Sequence, residues 1–343
     1  MNRFAWVRVT TIEDAAAAAS TTVADAMTVA SVAAGDRVVS VLKAGGVDLL
    51  DLMKEGLLAP TRVVSLKEVP GLDGIVEDEA GGLRIGAMVT LASIADHPLA
   101  RRLYPALTTA IGASASLQIR NVATLGGNLL QRPRCWYFRS DAFHCLRKGG
   151  GHCFAITGDH RYHAIFDNRL CAIVHPSTAA TALVALGATL ELATSEGAVR
   201  RVLLEDFFVS PGRDLQREND LKSGEVLTAV LLPAAPNLRM ACLRQGEKDA
   251  FDWPLADVAV VLDLDQDGLC QRAAIVLGAA APTPHRAKAA EVALAGRRID
   301  EDAARQAGRA ALDGAEPLAG NAYKLPLFET LVRRAILKAA AAE

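Results

Sequence analysis

Residues 120–128 read RNVATLGGN and residues 41–50 read VLKAGGVDLL, so two glycine pairs each follow an apolar run and come just before a polar residue. Glycine lets the backbone approach a phosphate closely and point its N–H groups at it, and a helix starting there adds a favourable dipole. A single pair is more often an ordinary turn, and the sequence contains neither GxGxxG nor GxxxxGK[ST]. The two pairs are therefore candidate phosphate-binding turns of neither the Rossmann nor the P-loop kind.

A second unusual stretch is basic, aromatic and rich in cysteine. Residues 131–177 read QRPRCWYFRSDAFHCLRKGGGHCFAITGDHRYHAIFDNRLCAIVHPS, with the cysteines spaced C-x9-C-x7-C-x17-C. This spacing is too wide for a zinc ribbon or a ferredoxin motif, but four soft thiolates in one loop indicate a metal centre. A Cys/His zinc site and four unrelated free thiols are the alternatives. The histidines that a zinc site could use are His144, His152, His160, His163 and His175.

Composition limits the class of protein. At 343 residues the chain exceeds the size at which a single core keeps growing, so two or three domains are expected. Hydrophobic residues make up 51% and aromatic residues 5%, which is typical of globular proteins with helices and buried strands. The formal net charge of −2 gives no electrostatic basis for binding nucleic acid or an anionic membrane.

The remaining sequence signals concern location and catalysis. The first twenty residues lack the apolar segment of a signal peptide, and no segment reaches about 18 uninterrupted apolar residues. Six cysteines in a chain of this length do not form a disulfide scaffold, and Cys242 and Cys270 lie in apolar runs typical of core packing. We expect a cytoplasmic protein, with periplasmic export beside a signal-bearing partner as the alternative. No nucleophile elbow or HExxH motif occurs, so no catalytic residue is predicted.

The periodicity of apolar residues gives a coarse order of elements. Residues 12–34 predict an Ala-rich helix with Thr11 as its N-cap and Gly35 at its end, and residues 37–42 predict a strand before the first glycine turn. Residues 233–236, PAAP, are the best linker candidate. Beyond them we predict strands at 238–244, 258–264 and 270–277, a helix near 253–257, and helices at 285–295, 300–312 and 321–341.

The two glycine turns, at this separation, resemble those of the FAD-binding (medium) subunit of molybdenum hydroxylases, the family of xanthine dehydrogenase, aldehyde oxidoreductase and carbon monoxide dehydrogenase. The resemblance covers nearly the whole chain and implies an α+β fold. Residues 1–233 would form a two-lobed FAD-binding domain of the vanillyl-alcohol-oxidase type (PCMH-like), with lobe 1 at about 1–58 and lobe 2 at about 59–233. Residues 234–343 would form a small α+β C-terminal domain of the carbon monoxide dehydrogenase flavoprotein type.

The resemblance also implies the cofactor site. In that family the two turns hold the FAD diphosphate and adjoining groups from two sides. The positions carried over are Lys43, Ala44, Gly45, Gly46, Val47, Asp48, Leu49, Ala87, Thr90, Ala123, Thr124, Gly126, Gly127, Asn128, Thr178 and Arg244. Thr124 and Asn128 would supply side-chain hydrogen bonds and the glycines backbone ones. This chain departs from the family at Val47, where a polar residue is usual, and at Thr178, where relatives commonly have aspartate.

The cysteine loop, an insertion at about residues 131–175, resembles the one in FAD subunits of aldehyde oxidoreductase and 4-hydroxybenzoyl-CoA reductase that carry a [4Fe–4S] cluster, and it is closer to the aldehyde oxidoreductase form. The implied iron ligands are Cys135, Cys145, Cys153 and Cys171.

The function implied by the resemblance is electron transfer within a heterotrimer. Partner chains would be a molybdenum-cofactor-binding large subunit, where the aldehyde or heterocycle is oxidised, and a [2Fe–2S] small subunit that passes electrons to FAD. This chain would deliver them to an external acceptor. A self-sufficient flavin oxidase or dehydrogenase, and a structural subunit with a zinc loop and no flavin, remain the alternative classes.

Overall fold

The computed structural model describes residues 1–30, 38–248 and 251–342. The strands are β1 (Ala5–Arg8), β2 (Ser40–Lys43), β3 (Arg62–Ser65), β4 (Ile75–Glu77), β5 (Leu83–Gly86), β6 (Thr189–Thr194), β7 (Val199–Leu203), β8 (Glu225–Leu232), β9 (Arg239–Gln245), β10 (Ala256–Leu264), β11 (Cys270–Gly278) and β12 (His285–Arg286). The helices are α1 (Ile12–Ala18), α2 (Val23–Ala30), α3 (Val47–Lys54), α4 (Leu91–Asp96), α5 (Pro98–Leu103), α6 (Pro105–Gly112), α7 (Leu117–Arg120), α8 (Leu125–Leu129), α9 (Trp136–Arg139), α10 (Phe154–Thr157), α11 (Thr178–Ala185), α12 (Leu204–Phe207), α13 (Lys288–Leu294), α14 (Glu301–Ala310) and α15 (Lys324–Ala340).

The first sheet is parallel, with strand order β1-β3-β2. Val63 in the central strand pairs with Trp6 on one side and Val41 on the other. Strand β2 leads through the first glycine turn into α3, so the predicted order of strand, turn and helix is confirmed. The sheet includes β3, which lies beyond the lobe boundary near residue 58 expected from the sequence.

The second sheet is antiparallel, with order β4-β5-β8-β6-β7. Its apolar face shares one buried core with residues of α4, α6, α8 and α11. Strand β5 ends at Gly86, directly before Ala87, so the sheet edge carries the segment that the resemblance places beneath the cofactor.

The third sheet, β12-β11-β10-β9, forms the middle layer of the C-terminal part. Side chains alternate between the two faces of a strand. In β10, Ala259 and Val261 join the core shared with the second sheet, whereas Val258, Val260 and Leu262 join a separate core with α13, α14 and α15. The third sheet is therefore covered by helices on both faces, which explains the long apolar run of β10.

Three helix predictions differ from the structure. The helix predicted at 285–295 begins only at Lys288, because residues 285–286 pair with β11 as strand β12. The Ala-rich stretch is broken into α1 and α2, because Ala19 ends α1 and residues 20–22 turn the chain before α2 begins. Thr11 does cap α1, accepting a hydrogen bond from the Asp14 N–H, while Gly35 lies outside the described residues. The helix near 253–257 is wrong: Ala256 already begins β10, because its pairing with Gln245 on β9 outweighs local preference. In the described part of the chain, every helix is too short or too polar to span a bilayer.

Candidate functional site

A cavity of about 410 Å³ lies where the two glycine turns, the edge of the second sheet and the start of the C-terminal part meet. Most of the positions implied by the resemblance line it: Ala44, Gly45, Gly46, Val47, Asp48, Leu49, Ala87, Ala123, Thr124, Gly126, Gly127, Asn128, Thr178 and Arg244. Lys43 and Thr90 are absent from its lining among the described residues. The fold thus brings together segments that are far apart in the sequence.

The two turns contact each other, and glycine is what allows the contact. A Cβ atom on Gly45 would lie 2.1 Å from the carbonyl oxygen of Val122, far inside the closest approach of two such atoms. Gly46 has φ of 86°, in the left-handed region that favours glycine. The contact between the turns therefore requires glycine at position 45, and the conformation of the first turn favours glycine at position 46.

The second turn rests on the edge of the second sheet in the same way. The Gly126 N–H donates to the Ala87 carbonyl at 2.9 Å, and a Cβ on Gly126 would lie 2.9 Å from the Ala87 Cβ. Thr124 caps α8, its hydroxyl accepting from the Gly127 N–H at 3.3 Å. The backbone of both turns is thus held at the cavity wall by close contacts.

Helix starts supply the electrostatics of the cavity. Helices α3 and α11, eight residues each, begin at Val47 and Thr178, and both residues line the cavity. The first N–H groups of a helix have no partner within the helix and carry a partial positive charge, which suits a phosphate. The site therefore fits the diphosphate of a dinucleotide through backbone groups and dipoles.

Several implied contact residues have partners within the protein. Ser177 donates to the Asn128 side-chain oxygen at 2.5 Å, which leaves the Asn128 amide nitrogen for a ligand. The Arg244 guanidinium donates to the carbonyls of Ala113 and Asp252 and so joins α6 to the C-terminal part at the cavity rim. Lys43 Nζ donates a hydrogen bond to the Ala44 carbonyl oxygen at 3.2 Å, so its contact is with the first glycine turn. The Thr90 hydroxyl accepts from the Ser93 N–H and caps α4.

The four cysteines that the sequence analysis takes as candidate metal ligands come together in the structure. Cys135, Cys145, Cys153 and Cys171 line one small cavity of about 10 Å³, the space of a single water molecule. Sulfurs on one tetrahedral ion would lie about 3.8 Å apart, given a metal–sulfur distance of about 2.3 Å. In the ranges that the structure describes, no group of three or more Cys, His, Asp or Glu side chains has the geometry of a single-ion site.

The surroundings of these thiols are electrostatically unequal. A hydrogen bond from Cys171 lowers the pKa of Cys153 to about 6, whereas sharing that hydrogen and burial raise the pKa of Cys171. Burial raises the pKa of Cys135 to about 11 and also raises that of Cys145. The four thiols are therefore not equivalent: Cys153 is the one whose surroundings favour the thiolate, and burial opposes ionisation of Cys135, Cys145 and Cys171.

Arg147 lines the cysteine cavity and supplies positive charge. Its Nε lies 3.5 Å from Cys171 Sγ, and its side chain is 1% exposed. Its Nη2 is buried without a hydrogen-bond partner in the part of the chain that the structure describes. A buried donor without an acceptor is costly, so the cavity favours an anionic group with sulfur or oxygen acceptors. Thiolate-ligated iron and sulfide meet that requirement, although the cysteine side chains must move apart to admit a four-iron cluster.

Three of the loop histidines, His160, His163 and His175, each contact different neighbours. His163 Nε2 lies 3.2 Å from Cys135 Sγ, and burial lowers the pKa of His163 to about 4. Both ring nitrogens of His160 have backbone partners, at Ala155 and Gly320. His175 is buried against Phe208 with its pKa lowered by burial to about 3.

A buried network of three charged residues links the cysteine loop to the cavity at the glycine turns. Glu218 bridges Arg147, at 2.6 Å, and Arg132, at 2.8 Å, and the three side chains are at most 5% exposed. Burial lowers the pKa of Arg132, against the effect of Glu218. Burial also lowers the pKa of Arg147, but Glu218 and Cys171 together outweigh burial, so the pKa of Arg147 is raised overall. Two guanidinium groups against one carboxylate leave excess positive charge beside Cys171.

A second network joins the loop to α3. Asp48 in the first turn of α3 accepts hydrogen bonds from the Arg132 N–H, from Arg134 at 2.6 Å and from Arg139 at 2.6 Å. Arg139 also reaches Asp51 at 3.1 Å. Sequence reasoning missed these contacts and Glu218; the basic character of residues 132–139 was the available signal, but it did not identify the acidic partners.

Comparison with known proteins agrees with this geometry. The family model described as FAD binding domain in molybdopterin dehydrogenase matches residues 2–235, and the model for the CO dehydrogenase flavoprotein C-terminal domain matches residues 241–339. The aldehyde oxidoreductase FAD-binding subunit PaoB of Escherichia coli K12 is 35% identical over 300 residues, covering 86% of this chain and 89% of that protein.

Solved structures give the same result. A chain of quinoline 2-oxidoreductase from Pseudomonas putida 86 superposes with a TM-score of 0.71 at 27% identity, covering 99% of this chain and 97% of that one. A chain of carbon monoxide dehydrogenase from Hydrogenophaga pseudoflava gives a TM-score of 0.73 at 25% identity, covering 99% and 98%.

The fold and the glycine-turn cavity together define a FAD-binding flavoprotein subunit. The chain belongs to the molybdenum hydroxylase family, as the FAD-binding (medium) subunit of a multi-subunit oxidoreductase. The resemblance and the α+β fold class inferred from the sequence are confirmed.

Substitution of Gly45 tests the contact between the two turns. We expect Gly45→Ala to weaken FAD binding about 10- to 100-fold, because separating the turns to seat the methyl group costs about 1–3 kcal/mol. The matched control is Gly112→Ala at the end of α6, where nothing lies within 4 Å of the added Cβ. Equilibrium dialysis of FAD against each deflavinated variant measures the effect. Equal FAD affinity in the two variants would contradict the assigned role of Gly45.

Proposed function

We propose that this chain is the FAD-containing electron-transfer subunit of a molybdenum-dependent aldehyde or heterocycle oxidoreductase and that it carries its own [4Fe–4S] cluster. Electrons would arrive from iron–sulfur centres in a partner and leave through FAD to an external acceptor. The observation that carries the proposal is the direct contact of Gly45 with the Val122 backbone, which makes two separate phosphate-binding turns into one wall of one cavity. Bound FAD can accept electrons singly and release them in pairs.

The protein's own residues would bind and orient the cofactor. The backbone of the turns around Gly46 and Gly127, with the starts of α3 and α11, would hold the diphosphate. Thr124 and the Asn128 amide would add side-chain hydrogen bonds, and Arg244 would fix the C-terminal part against the flavin end of the cavity. Val47 and Thr178 contribute no charge, so binding would depend on backbone groups more than in relatives with polar residues there.

For the cluster, the proposed ligands are Cys135, Cys145, Cys153 and Cys171. Three features support them: the four thiols line one cavity, Arg147 supplies positive charge to Cys171, and the Arg147 Nη2 lacks an acceptor within the described residues. Hydrogen bonds and burial around the sulfurs tune the potential of such clusters. We infer that the three-residue network of Arg132, Arg147 and Glu218 stabilises the thiolate form of the loop.

We propose a molybdenum-cofactor-binding large subunit and a [2Fe–2S] small subunit as partners, since PaoB is named as a subunit of an aldehyde oxidoreductase. Free thiols throughout the described chain fit a reducing compartment, so we propose the cytoplasm, with co-export to the periplasm as the alternative.

Purification of the tagged full-length chain from its native host under anaerobic conditions tests this function. We expect flavin absorbance that is released as FAD on denaturation, iron with acid-labile sulfide, and co-purifying chains that hold molybdenum. A chain purified without flavin would contradict the proposal and favour a structural subunit. Aldehyde oxidation by the isolated chain would favour a self-sufficient flavin enzyme.

A further inference from the structure

A second cavity, of about 280 Å³, lies between the cysteine loop, the start of α11 and the start of β10. It adjoins the FAD cavity, because Pro176, Thr178 and Trp253 line both. Its other side reaches Cys135 of the cysteine loop. A ligand here would lie between the two proposed redox groups, with Thr178 shared with the FAD cavity and Cys135 shared with the cysteine loop. Its volume is near the lower end of the range for small-molecule sites, about 300–1,000 Å³.

Aromatic side chains form the walls of this second cavity. Trp136 and Tyr162 are in edge contact, with ring centroids 5.7 Å apart. Trp253 lines both this cavity and the FAD cavity, and the Arg134 guanidinium lies 5.2 Å from its ring centroid. Trp136 is 36% exposed and Trp253 is 48% exposed, so both rings keep free surface. Flat aromatic surface of this kind favours planar ligands, which stack on it or meet it edge-on.

A buried carboxyl group lines the same cavity. Asp257 is 0% exposed, and its Oδ1 accepts from Cys242 Sγ at 3.5 Å. Its Oδ2 has no hydrogen-bond partner within the described ranges. Burial raises the pKa of Asp257 to about 7, although Thr181 and Cys242 oppose the rise. A protonated carboxyl group has an O–H that can donate a hydrogen bond. A buried donor without an acceptor is costly, so a ligand with an acceptor oxygen would be favoured next to Asp257.

Gly278 preserves the space beside this carboxyl group. A Cβ on Gly278 would lie 2.7 Å from Asp257 Oδ2 and 2.3 Å from the Thr181 hydroxyl. Glycine at this position therefore leaves room for the Asp257 carboxyl group and the Thr181 hydroxyl in their present positions. The Asp257 carboxyl group is thus held by its neighbours, while its Oδ2 lacks a hydrogen-bond partner in the described ranges.

Charge around the cavity excludes the common anionic ligands. Glu247 and Asp252 line it, and Tyr162 donates to Glu247 at 2.6 Å. The Arg134 guanidinium, which also lines it, is already paired with Asp48. A dinucleotide diphosphate would meet carboxylates here and no unpaired arginine among the described lining residues. A neutral planar ligand with a carbonyl acceptor suits the aromatic walls and the Asp257 donor.

We propose that this cavity binds a quinone-type electron acceptor, whose ring packs against the aromatic side chains that line it, Trp136 and Trp253 among them, and whose carbonyl oxygen accepts a hydrogen bond from Asp257. The binding site stands on the cavity itself, but its redox role rests on the proposed function. In that role the quinone gains two electrons and two protons to become a hydroquinone, and dihydro-FAD loses them to become FAD. Asp257 would hold one of the protons at the carbonyl that receives it.

Titration of the FAD-loaded full-length chain with duroquinone tests the binding site. This quinone has no free ring position for thiols to attack, and two of the protein's three tryptophans line the cavity. We expect saturable quenching of tryptophan fluorescence, at least tenfold weaker in Asp257→Leu and in Gly278→Ala. The control Asp263→Leu, at the partly exposed far end of β10, should match the unmodified protein.

Each outcome separates this inference from the proposed function. Quenching of the unmodified protein that rises linearly without saturation would overturn the quinone site while leaving FAD binding intact. Equal affinity in Asp257→Leu, with FAD content unchanged, would overturn the role of Asp257. Saturable quenching by NAD⁺ in place of duroquinone would overturn the ligand class. A chain that retains no FAD would instead contradict the proposed function itself.

Discussion

Glu218→Gln is expected to lower the free energy of unfolding by about 3–5 kcal/mol, because it leaves two buried guanidinium groups without their shared anion. The glutamine has nearly the same volume as glutamate, so packing changes little and the effect is electrostatic. Arg132 and Arg147 are both within 3 Å of Glu218, and none of the three side chains is more than 5% exposed. Chemical denaturation of the unmodified and substituted chains measures the difference.

The control for this prediction is Glu205→Gln. Glu205 pairs with Arg286 at 3.1 Å, but both side chains are about one-third exposed, and such pairs contribute about 0–1 kcal/mol. A loss below 1 kcal/mol in both variants would show that the buried network contributes no more than a surface ion pair. Since Arg132 also lines the FAD cavity, Glu218→Gln should in addition reduce the FAD content.

Cys171→Ala is expected to remove the iron from this chain, with a fall from about four iron atoms to fewer than one. Cys171 is 4% exposed, lies beside Arg147 and shares a hydrogen bond with Cys153, so its loss removes one proposed ligand and changes the surroundings of a second proposed ligand. Elemental analysis for iron, sulfide and zinc in the same sample measures the effect and distinguishes the two metals.

The matched control is Cys270→Ala, which removes an equally buried thiol from the C-terminal core, away from the loop. It should retain iron, sulfide and FAD. Unchanged iron in Cys171→Ala would contradict the assignment of this ligand, and stoichiometric zinc without sulfide in the unmodified protein would replace the cluster with a zinc site. Because Arg134 and Arg139 join the loop to Asp48, we also expect Cys171→Ala to hold FAD less tightly.

The parts of the site that were predictable are those that local chemistry specifies. A glycine pair before a helix start favours a turn. The positive φ of Gly46 shows why another residue would be strained there. The four cysteines of the loop could be recognised from their spacing in the sequence. The family resemblance then implied how the turns are arranged, which periodicity could not.

The parts that were missed depend on distant partners. The predicted helix near 253–257 failed because Ala256 pairs with Gln245 on β9 and extends β10. The charges on Arg132 and Arg147 were visible in the sequence, but their partner Glu218 lies 86 and 71 positions away. Nothing in the spacing of these residues distinguishes a buried ion pair from solvated surface charge.

The sequence by itself determined the two glycine turns, the cysteine loop and the strands near 238–244, 258–264 and 270–277, because each follows from the conformational freedom or chemistry of residues close together in the chain. Only the tertiary structure decided that Gly45 contacts the Val122 backbone, that Glu218 joins the loop to the FAD cavity, and that Asp257 lines a second cavity. These contacts join residues from different sheets and helices, so their energies depend on burial and distance, which exist only after the chain has folded.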